Sequence, residues 1–280
     1  MATSDGRNLF LSVVIPAFNE ECRISETLDD AMFTFRERCP GAWELIVVDD
    51  GSCDGTVSVV KDYATRCPEL LLISHARNQG KGAAVRTGVL ASHGELVLFA
   101  DADNATPFCQ CDKLLTAVQS GADLACGSRF GCRPGQVRRT VPRRLMSGVF
   151  RLIAHWTVRP GLKDTQCGFK LFRRSAAMSL FRQSSETGYL FDIEILALAS
   201  RQGMRVSEVP VIWQEMPGSK VSLWRDSWRM LCGLFRIRQK LRSGVIVDCG
   251  SEVLALPSGS QTQAVITSVA RQTRTTGAAS

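Results

Sequence analysis

Four short apolar runs fall in the first hundred residues, and each is followed by polar residues and then a helix-length segment. The runs are Leu9–Phe18 (LFLSVVIPAF), Trp43–Asp50 (WELIVVDD), Leu70–Ser74 (LLLIS) and Glu95–Ala100 (ELVLFA). Between them, helices are expected over Ser25–Arg38, stopped by Pro40-Gly41, over Thr56–Thr65, and from the Asn78–Gly82 loop to Ser92. Continuous apolar strands alternating with helices of this length read as a parallel sheet with crossover helices. In such sheets ligands bind at the carboxyl ends of the strands. Asn19-Glu20, Asp49-Asp50 and Asp101–Asp103 all follow directly on strand ends.

Beyond Asp103 the alternation is less regular. Helices are expected at residues 112–120, 144–158, Phe191–Gln202 and Leu223–Leu241. Strands are expected at Ala122–Gly127, Gly168–Phe172 and Val206–Trp213, with a basic loop at 129–144. Residues 1–8 read as a flexible start, 9–242 as one domain, and 243–280, rich in Ser, Thr, Gln and Ala, as a disordered tail. Within that tail, Val245–Val247 and Val253–Leu256 could add a short strand.

Hydrophobic residues make up 45% of the chain and charged residues 22%, which excludes a largely disordered protein. The formal net charge is +7 and is unevenly spread: Leu124–Lys163 holds nine Lys or Arg and no acid. Such a block suits anionic partners. The 11 cysteines lack metal-knuckle or redox spacing and read as free thiols. No signal peptide is visible, and no stretch approaches the length that crosses a bilayer. Attachment to a membrane is therefore expected to be peripheral, or through a membrane-spanning partner subunit.

Asp101-Ala102-Asp103 puts two carboxylates at the end of a buried strand, which is costly unless they are neutralised. Mg²⁺ or Mn²⁺ would neutralise them, since hard cations prefer carboxylate and diphosphate oxygens. A D-x-D triplet alone is common and often marks solvated turn acids, but here three strand ends converge. Pro16, Phe18, Asn19 and Glu20 close the first, Asp49–Ser52 the second and Asp101–Asp103 the fourth.

These residues resemble the family-2 glycosyltransferases of GT-A fold. The family's P-x-(Y/F)-N-E, D-D-G-S, N-x-G-K-G, D-A-D and G-S-R patterns are matched in order. The matches are Pro16–Glu20, Asp49–Ser52, Asn78–Gly82, Asp101–Asp103 and Gly127–Arg129. The fold implied is α/β, a mostly parallel sheet flanked by helices, with a C-terminal amphipathic helix. Asp164–Phe172 (DTQCGFKLF), Phe191–Glu194 and Gly218–Lys220 look like the eukaryotic dolichyl-phosphate β-glucosyltransferases. The related mannose synthases more often show S-G-F at Cys167–Phe169 and lack the aspartate matching Asp192. The family's glucosyltransferases usually open with a membrane-spanning helix, from which this sequence departs.

The resemblance implies a role for each matched residue. Pro16, Phe18, Glu20, Val48 and Asp50 would hold the base and ribose. Asp101, Ala102 and Asp103 would hold the metal and diphosphate, with Asp103 the direct ligand. Arg129 and Arg143 would grip the acceptor phosphate, and Lys220 would lie over the donor diphosphate. The activity implied is inverting transfer of glucose from UDP-glucose to dolichyl (polyprenyl) phosphate, giving dolichyl β-D-glucosyl phosphate for N-glycosylation. Its place would be the cytosolic face of the endoplasmic reticulum membrane. Transfer of mannose from GDP-mannose, or of another hexose, stands as the alternative within the class. An inactive nucleotide-binding protein and a nucleic-acid-binding module stand outside it. The last is disfavoured because acidic strand ends would repel a phosphate backbone.

Two stretches could lie on a lipid surface. Leu145, Val149, Leu152 and Trp156 follow the arginines of the basic block at helical spacing. Trp224, Trp228, Leu231, Leu234 and Phe235 oppose Arg225, Arg229, Arg236 and Lys240. An ordinary helix packed on the sheet explains the second equally well. Lys81 reads as a salt-bridge partner or a helix start near phosphate. His75, His93 and His155 read as structural, and Cys167 as a packed free thiol.

Overall fold

A computed structural model describes residues 9–130, 162–214, 216, 233, 237, 239 and 264–266. The expected strands form β1 (Leu11–Ala17), β2 (Trp43–Asp49), β3 (Leu70–His75) and β4 (Leu96–Ala100). Further along come β5 (Leu124–Ser128), β6 (Phe169–Arg173), β7 (Val206–Pro210) and β8 (Ala264–Ile266). They lie in one sheet in the order β7-β5-β6-β4-β1-β2-β3-β8. Only β6 runs antiparallel to its neighbours, β4 and β5; every other pairing is parallel. Every residue of β1, β4 and β5 is buried, as continuous apolar runs demand when helices cover both faces of a sheet.

The helices are α1 (Ile24–Arg38), α2 (Thr56–Arg66), α3 (Lys81–Ala91), α4 (Cys111–Gln119), α5 (Arg174–Gln183) and α6 (Phe191–Arg201). A 3₁₀ turn at Phe108–Gln110 leads into α4. Ile24, Leu28, Ala31, Met32 and Phe35 line one stripe of α1 and bury it against one face of the sheet. Phe35 also packs tilted against Trp43 and edge-on against Phe108. The other face is covered by α3, α5 and α6, with Val85, Val89, Leu180, Phe181, Phe191 and Ile195 buried there. Small residues let α3 sit close: a side chain on Gly88 would overlap Val14.

Three details differ from the sequence reading. Helix α5 was not anticipated, because it starts directly after β6 with no turn residues and no side-chain cap between them. The strand expected over Val206–Trp213 ends at Pro210, just before the Val211 amide donates to the Ser128 carbonyl at 3.1 Å. The short strand β8, from the segment read as tail, pairs with β3. The candidate strands at 245–247 and 253–256 and the helix expected at 144–158 lie outside the described residues. Of the Leu223–Leu241 helix, only Gly233, Ile237 and Gln239 are described. All three are helical, and Ile237 packs into the core beneath α6. Among the described residues, no helix is long and apolar enough to cross a membrane.

Candidate active site

Parallel pairing brings the carboxyl ends of β1, β2 and β4 to one edge of the sheet. Pro16 pairs with Val48 and Ala17 with Asp49, and the Asp50 amide donates to the Ala17 carbonyl at 2.8 Å. The two following loops are laced together. The Asn19 amide donates to Ser52 Oγ (2.8 Å), the Cys53 amide to Asn19 Oδ1 (2.8 Å) and the Glu20 amide to Thr56 Oγ1 (2.7 Å). Asn19 adopts a left-handed φ of 53°, which asparagine tolerates better than most residues. Phe18 is half-buried at this edge, and Glu20 is held by the Arg23 guanidinium at 2.7 and 2.8 Å. Pro16 is buried within β1, and the Val48 side chain is wholly buried against α3. Those two residues reach this edge as sheet framework.

Asp50, expected among the nucleotide-binding groups, has both carboxylate oxygens engaged within the protein. Oδ1 lies 2.7 Å from His75 Nδ1 and accepts from the Gln79 amide (2.9 Å), while Oδ2 accepts from the Gly80 amide (2.7 Å). Asp50 thus ties the Asn78–Gly82 loop to the end of β2. His75 is structural as expected: buried, with its other ring nitrogen 3.0 Å from Thr87 Oγ1. Asp49 accepts from the Ser52 amide at 3.3 Å and shapes the turn. Gly80 ends the loop at φ 105°, a conformation only glycine adopts readily, and a side chain there would strike the Thr187 carbonyl.

Asp101 and Asp103 leave the end of β4 with Ala102 buried between them, its carbonyl accepting from Thr27 Oγ1 at 2.8 Å. The Asp101 amide donates to the Gly168 carbonyl at 3.0 Å. The Asp101 carboxylate lies directly against Gly168 and would overlap any Cβ there. Asp103 Oδ1 accepts from the Ala105 amide at 3.1 Å. Burial, and then the neighbouring Asp101 charge, push the Asp103 carboxyl above its ordinary pKa. A carboxylate crowded by a second negative charge is what a divalent cation would relieve. Among the described residues no three His, Cys, Asp or Glu side chains are placed to hold a metal ion. Two carboxylates completed by substrate phosphate oxygens is nonetheless how Mg²⁺ is commonly held. The residues present fit such an ion.

Charge alternates behind this pair. Lys81 Nζ, at the start of α3, lies 2.6 Å from Asp101 Oδ1. Burial works against the ammonium, but Asp101, Asp192 and Asp103 outweigh it and hold its pKa above the ordinary lysine value. Deeper still, fully buried Lys170 donates to Asp192 Oδ1 and to the Cys167 carbonyl, both at 2.6 Å. Both ammonium groups flank the Phe99 ring, at 5.5 and 5.8 Å from its centroid. Glu194, two residues beyond Asp192, accepts from Ser184 Oγ and from the Ser185 and Glu186 amides. It thereby fixes the segment that packs against Gly80 and Gly82.

Arg129 follows the end of β5. Its Nε and Nη2 donate to the two oxygens of Asp164, each at 2.7 Å, and its own amide adds a third bond at 3.0 Å. The guanidinium lies 5.7 Å from the Trp213 ring. Burial would raise the Asp164 carboxyl, but Arg129 outweighs it and holds the group below the usual carboxylate range. The fork on Asp164 orients Arg129, which is 25% exposed in its side chain. Arg143 and Lys220 lie outside the described residues. Cys167 and Cys126 are buried, which pushes each thiol up to about 12 and leaves neither a nucleophile.

The sequence reading missed Asp164, Gly168, Lys170 and Asp192 as parts of this site. Asp164, Gly168 and Lys170 stand together in the DTQCGFKLF segment. Their signal lay in a glycine and charged residues clustered at and just before one apolar strand, where an unpaired charge such as that of Lys170 would be costly.

The family model for glycosyl transferase family 2 matches residues 12–181. Dolichyl-phosphate beta-glucosyltransferase of Saccharomyces cerevisiae is 38% identical over 263 residues, covering 87% of this chain and 78% of that protein. The protein of that name from Homo sapiens is 36% identical over 255 residues, covering 82% and 78%. Among solved structures, mannosyl-3-phosphoglycerate synthase from Rubrobacter xylanophilus superposes with a TM-score of 0.62 at 20% identity, over 88% of this chain and 79% of that one. Glucosyl-3-phosphoglycerate synthase from Mycobacterium tuberculosis, solved with UDP, gives 0.59 at 22% identity, over 84% and 81%. At such identities these structures speak for a shared GT-A fold. The extent of the family match and the identity to full-length relatives together settle the kinship: the chain belongs to glycosyl transferase family 2.

Proposed function

We propose that this chain moves glucose from UDP-glucose to dolichyl phosphate with inversion, at the cytosolic face of the endoplasmic reticulum membrane. One observation carries the reading. The paired carboxylates Asp101 and Asp103 stand at the ligand edge of a sheet whose sequence is 38% identical to a dolichyl-phosphate beta-glucosyltransferase. The product, a β-linked glucosyl phosphate lipid, would serve N-glycosylation.

The residues divide the work by charge. The crossed loops after β1 and β2, with Phe18 and Glu20 at their rim, take the base and ribose. Asp101 and Asp103 hold Mg²⁺ or Mn²⁺, which when bound supplies Lewis-acid stabilisation of the departing nucleoside diphosphate. Arg129, braced by Asp164, presents its guanidinium to the acceptor phosphate, and Arg143 joins it. Lys220 covers the donor diphosphate. A phosphate monoester is already ionised near neutral pH, its second pKa being about 6, so no strong base is required. What the site would supply is placement: Arg129 for one anion, and Asp101 and Asp103, through the cation they would hold, for the other. A spanning subunit or the basic segments at 129–163 and 223–241 would bring the site to the lipid surface.

The stereochemistry of the product tests this. The full chain is incubated with UDP-glucose, Mn²⁺ and dolichyl phosphate in detergent, and the anomeric coupling of the lipid-linked sugar is read by NMR. A β-glucosyl phosphate is expected. An α-linked product would overturn the single in-line displacement. A lipid labelled only from GDP-mannose would replace the sugar.

A further inference from the structure

Lys81 and Lys170 both lie near the Phe99 ring, at 5.5 and 5.8 Å from its centroid, yet they are held very differently. Lys170 is 1% exposed and gives its ammonium to two fixed acceptors, Asp192 Oδ1 and the Cys167 carbonyl. It cannot leave without stranding a buried aspartate. The Lys81 side chain is 25% exposed, on the open side of the site, and Asp101 is its ion-pair partner among the described residues. Its backbone is anchored: Asp50 grips the two preceding amides, and the Ala83 amide donates to the Thr187 carbonyl at 3.2 Å. Only the four-carbon stem is free to swing.

Asp101 Oδ1, 2.6 Å from that ammonium, belongs to the carboxylate pair that fits a divalent cation. An ammonium and a divalent cation crowded on one carboxylate oxygen would repel each other. We propose that Lys81 is an exchangeable counter-ion: it neutralises Asp101 in the donor-free protein, yields Asp101 to the metal, and turns its ammonium onto the donor diphosphate. No bond to carbon, oxygen or phosphorus forms or breaks in this exchange, and no proton moves. One cation replaces another on Asp101, and the released ammonium meets the two negative charges that arrive with the nucleotide sugar. Lysine suits this task because its ammonium is a compact charge on a flexible stem, where a forked arginine would lock onto the carboxylate.

This rests on the reading of Asp101 and Asp103 as metal-holding groups, and it is tested by binding alone, without sugar or lipid. Mn²⁺ binding to the full chain is titrated calorimetrically for wild type, Lys81→Gln and Lys81→Arg, and then UDP binding at saturating Mn²⁺. Lys81→Gln is expected to bind Mn²⁺ alone more tightly and UDP more weakly, each by about tenfold, within the usual range of coupling between sites. Affinities that fall together, or do not move, would overturn the exchange and leave Lys81 a scaffold group. Lys81→Arg, whose fork should stay on Asp101, is expected to weaken both Mn²⁺ and UDP binding; wild-type affinities for both would also count against the exchange. Should Lys81→Gln fail to fold, Asp101→Asn supplies the second arm. Freed from its partner, Lys81 should then strengthen UDP binding in EDTA, and that gain should vanish in Asp101→Asn/Lys81→Met. Equal metal-free affinities for Asp101→Asn and the double variant would refute the idea. A chain that transfers a different sugar, or to a different acceptor, would still give the predicted Mn²⁺ result, so the two readings fail separately.

Discussion

The Asp101 carboxylate rests on the Cα of Gly168, leaving room there for a hydrogen and nothing larger. Through this contact the residue leading into β6, the antiparallel strand among those described, sets the position of a carboxylate delivered by β4. Gly168→Ala must therefore displace Asp101 or the start of β6. Overpacking of this kind typically costs about 1–3 kcal/mol. The Gly168→Ala protein should stay folded, with Tm lowered by several degrees, while Mn²⁺-dependent UDP binding falls by at least about tenfold. Calorimetry and a thermal melt on one preparation check both, and unchanged Mn²⁺-dependent binding would show that Asp101 has no part in it.

Lys170 and Asp192 form a pair buried on all sides. Removing one partner leaves a buried charge uncompensated, at a cost of about 3–5 kcal/mol. Lys170→Met should thus destabilise strongly in chemical denaturation. Lys170→Met/Asp192→Leu should recover much of the loss, since an apolar pair of similar volume avoids desolvation. If the double variant were no more stable than the single one, the pair would matter through shape and not charge.

Asp164 gives the protein a defined acid limb. Its folded pKa is depressed by Arg129, so its contribution to stability is present above the unfolded value, about 4, and is lost as pH falls through the folded one. Asp103 acts with the opposite sign: its folded pKa is raised, so its contribution is present below about 4 and lost as pH climbs through the folded value. Melting curves in EDTA between pH 7 and pH 3 should show Asp164→Asn flattening the acid fall in Tm. Asp103→Asn should raise Tm at pH 7, the mark of a group kept for binding at the expense of stability. A lower Tm for Asp103→Asn would contradict the repulsion between Asp101 and Asp103.

Much of this was legible in the sequence because the signals were local. The runs that became β1, β2 and β4 are apolar on both faces, and the acids at their ends announced the ligand edge before any strand order was known. Asp101 and Asp103 stand at that edge, directly after β4. What stayed hidden depended on pairing across the chain. Asp50 reads as a nucleotide-binding carboxylate at a strand end, and only the fold shows its bonds to His75, Gln79 and Gly80. Lys81 read as a salt-bridge residue, which it is, but its partner twenty residues away lies in the site itself. Asp164 and Arg129 are 35 residues apart, and no periodicity links a residue after β5 with one before β6. Helix α5 escaped because nothing punctuates the chain where β6 ends.

Metal-dependent transfer of glucose to a lipid phosphate is tested most directly by comparing wild type with Asp103→Ala in one assay. Radiolabelled UDP-glucose and GDP-mannose are each offered with dolichyl phosphate and Mn²⁺, and label is counted in the organic phase. We expect label from UDP-glucose alone, reduced by about a thousandfold or more in Asp103→Ala, as loss of several kcal/mol of cation stabilisation requires. Equal transfer by wild type and Asp103→Ala, or label from GDP-mannose alone, would contradict the account.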